Sequence, residues 1–198
     1  MLPAPAPRLP PPGRPAFTLI ELMISVAIIA VLAVTAVPQF TKYLRGAKAA
    51  EANMSLDMIR KGAAAYYAIP HTDAATGKRK PCQFPSNATI TPKGASCCVD
   101  ALDTDNDERC DANPVHWDNP TWSAVRFGMS DAHYFQYSFD SAGTLAAARF
   151  IASSHADLDC DGLQSTFELG MNGDTEATEA DCDAVSAAAA FFRDNETE

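Results

Sequence analysis

A twelve-residue stretch in the C-terminal half of the chain has the residue types and spacing of a calcium-binding loop. Residues 157–168 read DLDCDGLQSTFE and match the pattern D-x-D-x-D-G-x5-E at every required position. Calcium is a hard cation that takes about six to eight oxygen ligands, and a glycine at the sixth position allows the sharp turn of such a loop. The predicted ligands are side-chain oxygens and, at Leu163, a backbone carbonyl: Asp157, Asp159, Asp161, Leu163, Ser165 and Glu168.

These residues predict Ca²⁺ as a bound cofactor. The flanking segments alternate between apolar and polar residues, which is typical of strands rather than helices. We therefore expect an EF-hand-like loop between two strands and not a full EF-hand pair. An acidic surface turn that binds no ion is the alternative that the sequence leaves open.

A second acidic stretch, residues 103–111, begins the same pattern but does not complete it. Glu108 takes the place of the glycine, and Pro114 takes the place of the closing glutamate. The acidic side chains at the ligand spacings are Asp103, Asp105, Asp107 and Asp111. The sequence therefore predicts a solvated acidic loop here rather than a second calcium site.

The six cysteines predict three disulfides in an oxidising compartment. They are Cys82, Cys97, Cys98, Cys110, Cys160 and Cys182. No C-x-x-C spacing suggests a zinc site. The count alone leaves about fifteen pairings open; we favour Cys160–Cys182, which would tie the calcium loop to the C-terminal segment. A bond between the neighbours Cys97 and Cys98 would be strained.

Charge and motifs argue against nucleic-acid binding and against catalysis. The net charge is −10, and 20 of the 25 acidic residues lie in residues 101–198, whereas contacts to phosphates need clustered Lys and Arg. Residues 128–132 lack the final glycine of a nucleophile elbow, and the chain contains no glycine-rich phosphate-binding loop. We predict that the protein is not an enzyme.

A long apolar segment follows a proline-rich leader near the N-terminus. Residues 1–16 contain two arginines and many prolines, and residues 17–37 are apolar except for Glu21. As a helix, residues 17–37 would be about 30 Å long, which is enough to cross a bilayer. The sequence therefore predicts one membrane span, with the cysteine-containing region outside the cytosol.

The residues around this span resemble the N-terminal methylation motif of type IV pilins and type II secretion pseudopilins. The similarity lies in the octapeptide AFTLIELM of residues 16–23, the uncharged run after it, and Pro38. The resemblance implies that a prepilin peptidase removes the leader between Ala16 and Phe17 and then methylates the new amine of Phe17. The family usually has glycine before the cleavage point, where this chain has Ala16.

The resemblance also implies a function in filament assembly. In a filament, Glu21 of one subunit would neutralise the N-terminal amine of a neighbour, and Pro38 would be the main point of local helix weakening. The implied partners are further copies of the chain, related pilins, the prepilin peptidase and the inner-membrane assembly machinery. The subunit would span the inner membrane with a periplasmic head before joining an extracellular pilus or a periplasmic pseudopilus. The alternatives are a type II secretion pseudopilin and a membrane-anchored calcium-dependent binding module that does not polymerise.

We predict an α+β fold in which one long N-terminal helix packs on a small antiparallel β-sheet, an arrangement also implied by the pilin resemblance. The divisions are a leader (1–16), a membrane and polymerisation helix (17–38), the outer half of that helix (39–69), a disulfide-rich loop region (70–132), and a sheet with the calcium loop and C-terminal segment (133–198). Alternation predicts strands at 133–140, 144–153 and 166–171, with a turn at Asn172–Gly173. Residues 184–192 fit either a fourth strand or a short helix.

Two further expectations concern side-chain packing. Asn119 and Pro120 are typical of the start of a short helix. In the outer half of the long helix, Met54, Met58 and Tyr66 recur at helical spacing, which favours core packing over a cofactor site.

Overall fold

The computed structural model describes residues 17–99, 101–178, 182 and 185–194. The predicted leader, which includes Ala16, lies outside these residues. The chain divides into two units, one ending at Thr41 and the other beginning at Lys42.

Helix α1 (Leu19–Ala68) begins at a capping box and ends just before Pro70. The Thr18 amide donates to Glu21 Oε2 at 2.9 Å, and the Glu21 amide donates to Thr18 Oγ1 at 3.3 Å. Such a reciprocal pair satisfies donors that have no partner in the first helical turn. Pro38 lies inside α1, which continues beyond it.

The first unit has no apolar core within the described residues. All the residues of α1 up to Thr41 are exposed, and the large apolar side chains among them are 55–75% accessible to solvent. α1 is also long and apolar enough to cross a membrane, with a mean hydropathy of 2.6 in its most apolar window.

The second unit is the predicted α+β head, in which the outer half of α1 packs on one antiparallel sheet. The strands lie in the order in which they occur along the chain. They are β1 (Ala88–Thr91), β2 (Gln136–Ala142), β3 (Arg149–Ala156), β4 (Ser165–Gly173) and β5 (Val185–Asp194). This meander needs only hairpin and loop connections between neighbouring strands.

The core consists of a helical stripe facing an aromatic face of the sheet. The stripe recurs every three or four residues, as expected for one helix face: Ala49, Ala52, Ser55, Leu56, Ile59, Ala63 and Tyr67. The buried aromatic residues of the sheet and its approach are Phe135, Tyr137, Phe139, Phe150 and Phe167. The expectation that Met54 and Met58 belong to the core is wrong, because both lie off this stripe and are 70% and 51% exposed.

Glu51 fastens α1 to the beginning of β2. Its carboxylate accepts hydrogen bonds from the amides of Tyr134, at 3.1 Å, and Phe135, at 3.3 Å. The Tyr137 hydroxyl lies 3.4 Å from the same carboxylate. Burial raises the pKa of Glu51 above its ordinary value, against the opposing effect of these hydrogen bonds.

The structure confirms the predicted strands in outline and corrects their ends. β3 begins at Arg149 because residues 145–147 form a 3-10 turn first. The predicted turn at Asn172–Gly173 is wrong, since both residues belong to β4 and Gly173 pairs with Val185. The C-terminal segment is a strand, β5, although its predicted first residue, 184, lies outside the described residues. The short strand β1 was not anticipated in what the sequence suggested was a loop.

The predicted short helix is present as α2 (Pro120–Val125) and packs directly on α1. Asn119 caps it by accepting a hydrogen bond from the Thr121 amide at 2.8 Å. A Cβ atom added to Gly62 of α1 would lie only 1.9 Å from the carbonyl oxygen of Val125. The close approach of the two helices therefore requires glycine at position 62.

We expect Gly62→Ala to lower the free energy of unfolding by about 1–3 kcal/mol, because the added methyl group collides with backbone that must shift. Gly46→Ala on the same helix is the matched control, since a Cβ there meets nothing within 4 Å. Alanine favours a helix over glycine, so this control should be neutral or stabilising by up to about 1 kcal/mol. Thermal unfolding of the full chain in detergent micelles measures both, and equal melting temperatures for the two variants would contradict the packing described here.

Candidate functional site

The loop predicted to bind calcium folds around the carboxylate of Asp157. Asp157 Oδ1 accepts a hydrogen bond from the Asp161 amide at 3.1 Å, and Oδ2 accepts one from the Gly162 amide at 3.0 Å. Gly162 has a φ of 94°, a conformation that favours glycine. The carboxylates of Asp157, Asp159 and Asp161 lie within 4.8 Å of one another. The chain thus brings three of the six predicted ligands together.

The other predicted ligands lie in and before β4. Ser165 is the first residue of this strand and is buried. Glu168 is not part of the carboxylate cluster; its Oε1 instead accepts a hydrogen bond from Ser153 Oγ at 3.3 Å on the neighbouring strand. A strand rises about 3.3 Å per residue, so β4 carries Glu168 about 10 Å beyond Ser165, whereas a helix would turn it back toward the loop.

The second acidic stretch has a closely similar local geometry. Asp103 Oδ1 accepts from the Asp107 amide at 3.0 Å, and Oδ2 accepts from the Glu108 amide at 2.9 Å, as Asp157 does in the other loop. Glu108 occupies the glycine position with a φ of 62°. A second cluster of carboxylates, each within 4.8 Å of the others, is formed by Asp103, Asp105 and Asp111.

The sequence does not predict this clustering, because the stretch lacks the glycine and the closing glutamate of the calcium pattern. Desolvation, together with the negative charges of Asp107 and its neighbours, raises the pKa of Asp105. The acidic side chains of this loop therefore influence one another.

Three disulfides form, and their pairing differs from the one favoured on sequence grounds. The bonds are Cys82–Cys182, Cys97–Cys110 and Cys98–Cys160. The prediction that all six cysteines are paired is confirmed. The Cys160–Cys182 pair is wrong because Cys160 lies beside the segment at residue 98, while Cys182 lies beside the segment that follows α1.

The adjacent residues Cys97 and Cys98 join the two acidic loops to one short segment. Cys110 belongs to the first acidic stretch and Cys160 to the second, so each loop has its own covalent attachment to that segment. Two clusters of like charge are thereby held at one end of the head.

Two cations of α1 lie against these loops. The guanidinium of Arg45 forms an ion pair with Asp159 Oδ2. Lys48 Nζ donates to the carbonyl oxygen of Leu158 at 2.9 Å and lies 3.5 Å from Glu108 Oε2. More than a hundred residues separate Arg45 from Asp159, so local sequence patterns do not predict their contact. The one-turn spacing of Arg45 and Lys48 on α1 is the only signal of these contacts in the sequence.

The donor set of the 157–161 cluster suits a hard cation. All its side-chain donors are carboxylate oxygens, the preferred ligands of Ca²⁺ and Mg²⁺. In addition, Asp159 Oδ1 is buried and has no hydrogen-bond partner among the described residues. A buried oxygen in this condition is costly, and a metal ion would satisfy it. The acidic clusters could therefore bind a metal ion.

At the other end of the described chain, Phe17 and Glu21, which are expected to act in processing and assembly, are exposed. Phe17 is 81% exposed, and the carboxylate of Glu21 accepts hydrogen bonds from the amide and the hydroxyl of Thr18. Glu21 is the only charged side chain between residue 17 and Lys42.

Comparison with known proteins supports the interpretation of this N-terminal segment. No curated protein and no solved structure matches the chain. Residues 13–37, however, match the family model of the prokaryotic N-terminal methylation motif. The matched residues include the proposed cleavage point before Phe17 and the glutamate at position 21. The chain thus carries the prokaryotic N-terminal methylation motif, the hallmark of type IV pilins and pseudopilins.

Proposed function

We propose that the protein is a structural subunit of a type IV pilus-like filament, assembled through its N-terminal helix. The observation that carries this proposal is that every residue of α1 up to Thr41 is exposed, whereas the head has its own core. An apolar helix of this length needs a bilayer before assembly and neighbouring helices afterwards. The small residues Ala27, Ala30 and Ala33 along this segment allow such helices to approach closely.

Processing prepares this helix for assembly. Removal of residues 1–16 by a prepilin peptidase frees a positively charged amine at Phe17, which the same enzyme methylates. In the apolar interior of a filament an unpaired charge is costly, so Glu21 of one subunit pairs with the amine of a neighbour. The inner-membrane assembly machinery and related pilins are the partners in this process. The role is structural and requires no catalytic activity of the chain.

Mass spectrometry of the protein's N-terminus, made separately on membranes and on the sheared extracellular fraction, tests this function. We expect N-methylated Phe17 in the sheared fraction, because only a processed subunit enters an external filament. An intact leader in both fractions would contradict the proposal and would leave a plain membrane anchor.

The same measurement bears on the closest alternative, a pseudopilin of a type II secretion system. Processed Phe17 confined to membranes would favour that alternative. Deletion of the gene would then impair protein secretion without loss of surface filaments.

We further propose that the loop at residues 157–168 binds Ca²⁺ and stabilises the head. Three observations support this: the complete sequence pattern, the grouping of Asp157, Asp159 and Asp161, and the unpartnered Oδ1 of Asp159. Asp157, Asp159 and Asp161 would supply carboxylate oxygens. The Leu163 carbonyl and Ser165 would be further ligands. Glu168 is paired with Ser153 and Phe192 inside the sheet, so it would join only if the first residues of β4 moved toward the loop.

We expect Glu21→Ala to leave a stable, membrane-inserted subunit that enters filaments poorly. An unpaired buried charge costs about 3 kcal/mol or more, so the sheared fraction should contain at least about tenfold less of the variant. Immunoblots of sheared and membrane fractions measure this. Thr18→Ala is the matched control, because it removes the hydroxyl that donates to Glu21 but keeps the carboxylate. Normal assembly of Glu21→Ala, or an equal loss of both variants from the sheared fraction, would contradict the proposed charge neutralisation.

We expect calcium to raise the melting temperature of the protein, because a ligand that binds only the native state stabilises it. At calcium about 100-fold above its Kd the shift should be about 5 °C or more relative to chelator. Asp161→Asn should lose most of the shift, and Asp140→Asn, an exposed change in β2, should keep it. Identical melting curves in calcium and in chelator would rule out the site.

A further inference from the structure

The calcium loop proposed above is already in contact with a cation of its own chain. The three clustered carboxylates repel one another, and nearby positive charge reduces that repulsion. Arg45 supplies such a charge through its ion pair with Asp159 Oδ2. Lys48, one turn further along α1, lies at the Leu158 carbonyl between the two acidic loops.

Arg45 reaches a residue that the metal would use. Asp159 stands at the third position of the loop, where a carboxylate is expected to ligate calcium. One of its oxygens is paired with Arg45, and the other is buried without a partner. A calcium ion at Asp159 would therefore lie a few ångströms from a guanidinium, and the two like charges would repel whether or not the ion pair broke.

We propose that Arg45 is the internal counter-ion of the calcium loop and sets its affinity by competing with the metal. In the calcium-free protein, Arg45 compensates the negative charge of the clustered carboxylates and holds the loop against α1. When calcium binds, it compensates that charge instead and weakens the ion pair between Arg45 and Asp159. The inference deepens the calcium proposal and depends on it, but it makes a separate claim about a residue outside the sequence pattern.

The competition couples the loop to α1 in both directions. If calcium loosens the ion pair, then any acidic group that draws Arg45 away must strengthen calcium binding by the same factor, because linkage is reciprocal. Arg45 lies only three residues beyond Lys42, at the beginning of the part of α1 that belongs to the head. The calcium loop therefore acts on the helix close to the segment through which the filament is proposed to assemble.

Calorimetric titration of the full chain in detergent micelles with calcium chloride tests the proposal. Arg45→Gln removes the charge but keeps hydrogen-bond donors, so it should bind calcium at least about threefold more tightly than the wild type. Arg45→Lys keeps the charge and should stay close to the wild-type affinity. Arg60→Gln is the matched control, because Arg60 lies on the same helix with the same 30% side-chain exposure but pairs with Asp57, away from the loop.

A chemical measurement on the unmutated protein gives a second readout that does not depend on the folding of any variant. Phenylglyoxal modifies accessible arginine side chains, and peptide mass spectrometry locates the modified positions. Calcium should raise the modification rate of Arg45 and leave that of Arg60 unchanged.

The outcomes separate the two proposals. If the wild type binds calcium but Arg45→Gln binds it equally or more weakly, Arg45 is not a competitor, although the calcium site stands. If calcium leaves the modification rate of Arg45 unchanged while the wild type is saturated, the proposal is likewise overturned. If the wild type does not bind calcium, the metal site fails and the role of Arg45 fails with it.

Discussion

The exposed apolar surface of α1 up to Thr41 is the constraint on which the other features of this protein depend. Large side chains at 55–75% exposure over about six helical turns are unfavourable in water. A surface of this kind is suited to a bilayer or to contact with other apolar helices. Apolar surroundings of this kind explain why the segment contains one charged residue and why that residue is near its start. Among the described residues, the core of the head contains no residue of this segment.

The contacts described between the head and α1 involve the part of the helix that belongs to the head, from Lys42 onward. The buried stripe begins at Ala49, and the polar fastenings of α1, Arg45, Lys48 and Glu51, all lie beyond Thr41. Glu51 binds backbone amides at the entry to β2, which fixes α1 to the sheet by directed contacts as well as by apolar packing.

Local patterns in the sequence were sufficient to predict individual helices and strands, but they did not predict the contacts between distant segments. Alternation located β2 and β4, and Asn119–Pro120 located α2, because these signals act over a few residues. The pairing of Cys160 with Cys98 depends on topology, since which segments adjoin is decided by the order of the whole sheet. The predicted turn at Asn172–Gly173 is wrong for a related reason. This dipeptide is typical of turns, but it lies inside β4, where pairing with β5 determines the backbone conformation.

The same distinction explains the acidic end of the head. The sequence pattern identified the ligand types of residues 157–161 and the strand-like flanks, but it counted Glu168 as a ligand because the twelfth residue of such a loop closes the site. Here β4 follows, and its rise carries Glu168 away from the cluster. Disulfides from Cys97 and Cys98 hold the two acidic loops close together, and α1 presents the cations Arg45 and Lys48 to them. The charge balance at these loops is therefore a property of the tertiary structure. Under the proposal made above, a metal that binds there competes with Arg45 of α1 for the Asp159 carboxylate.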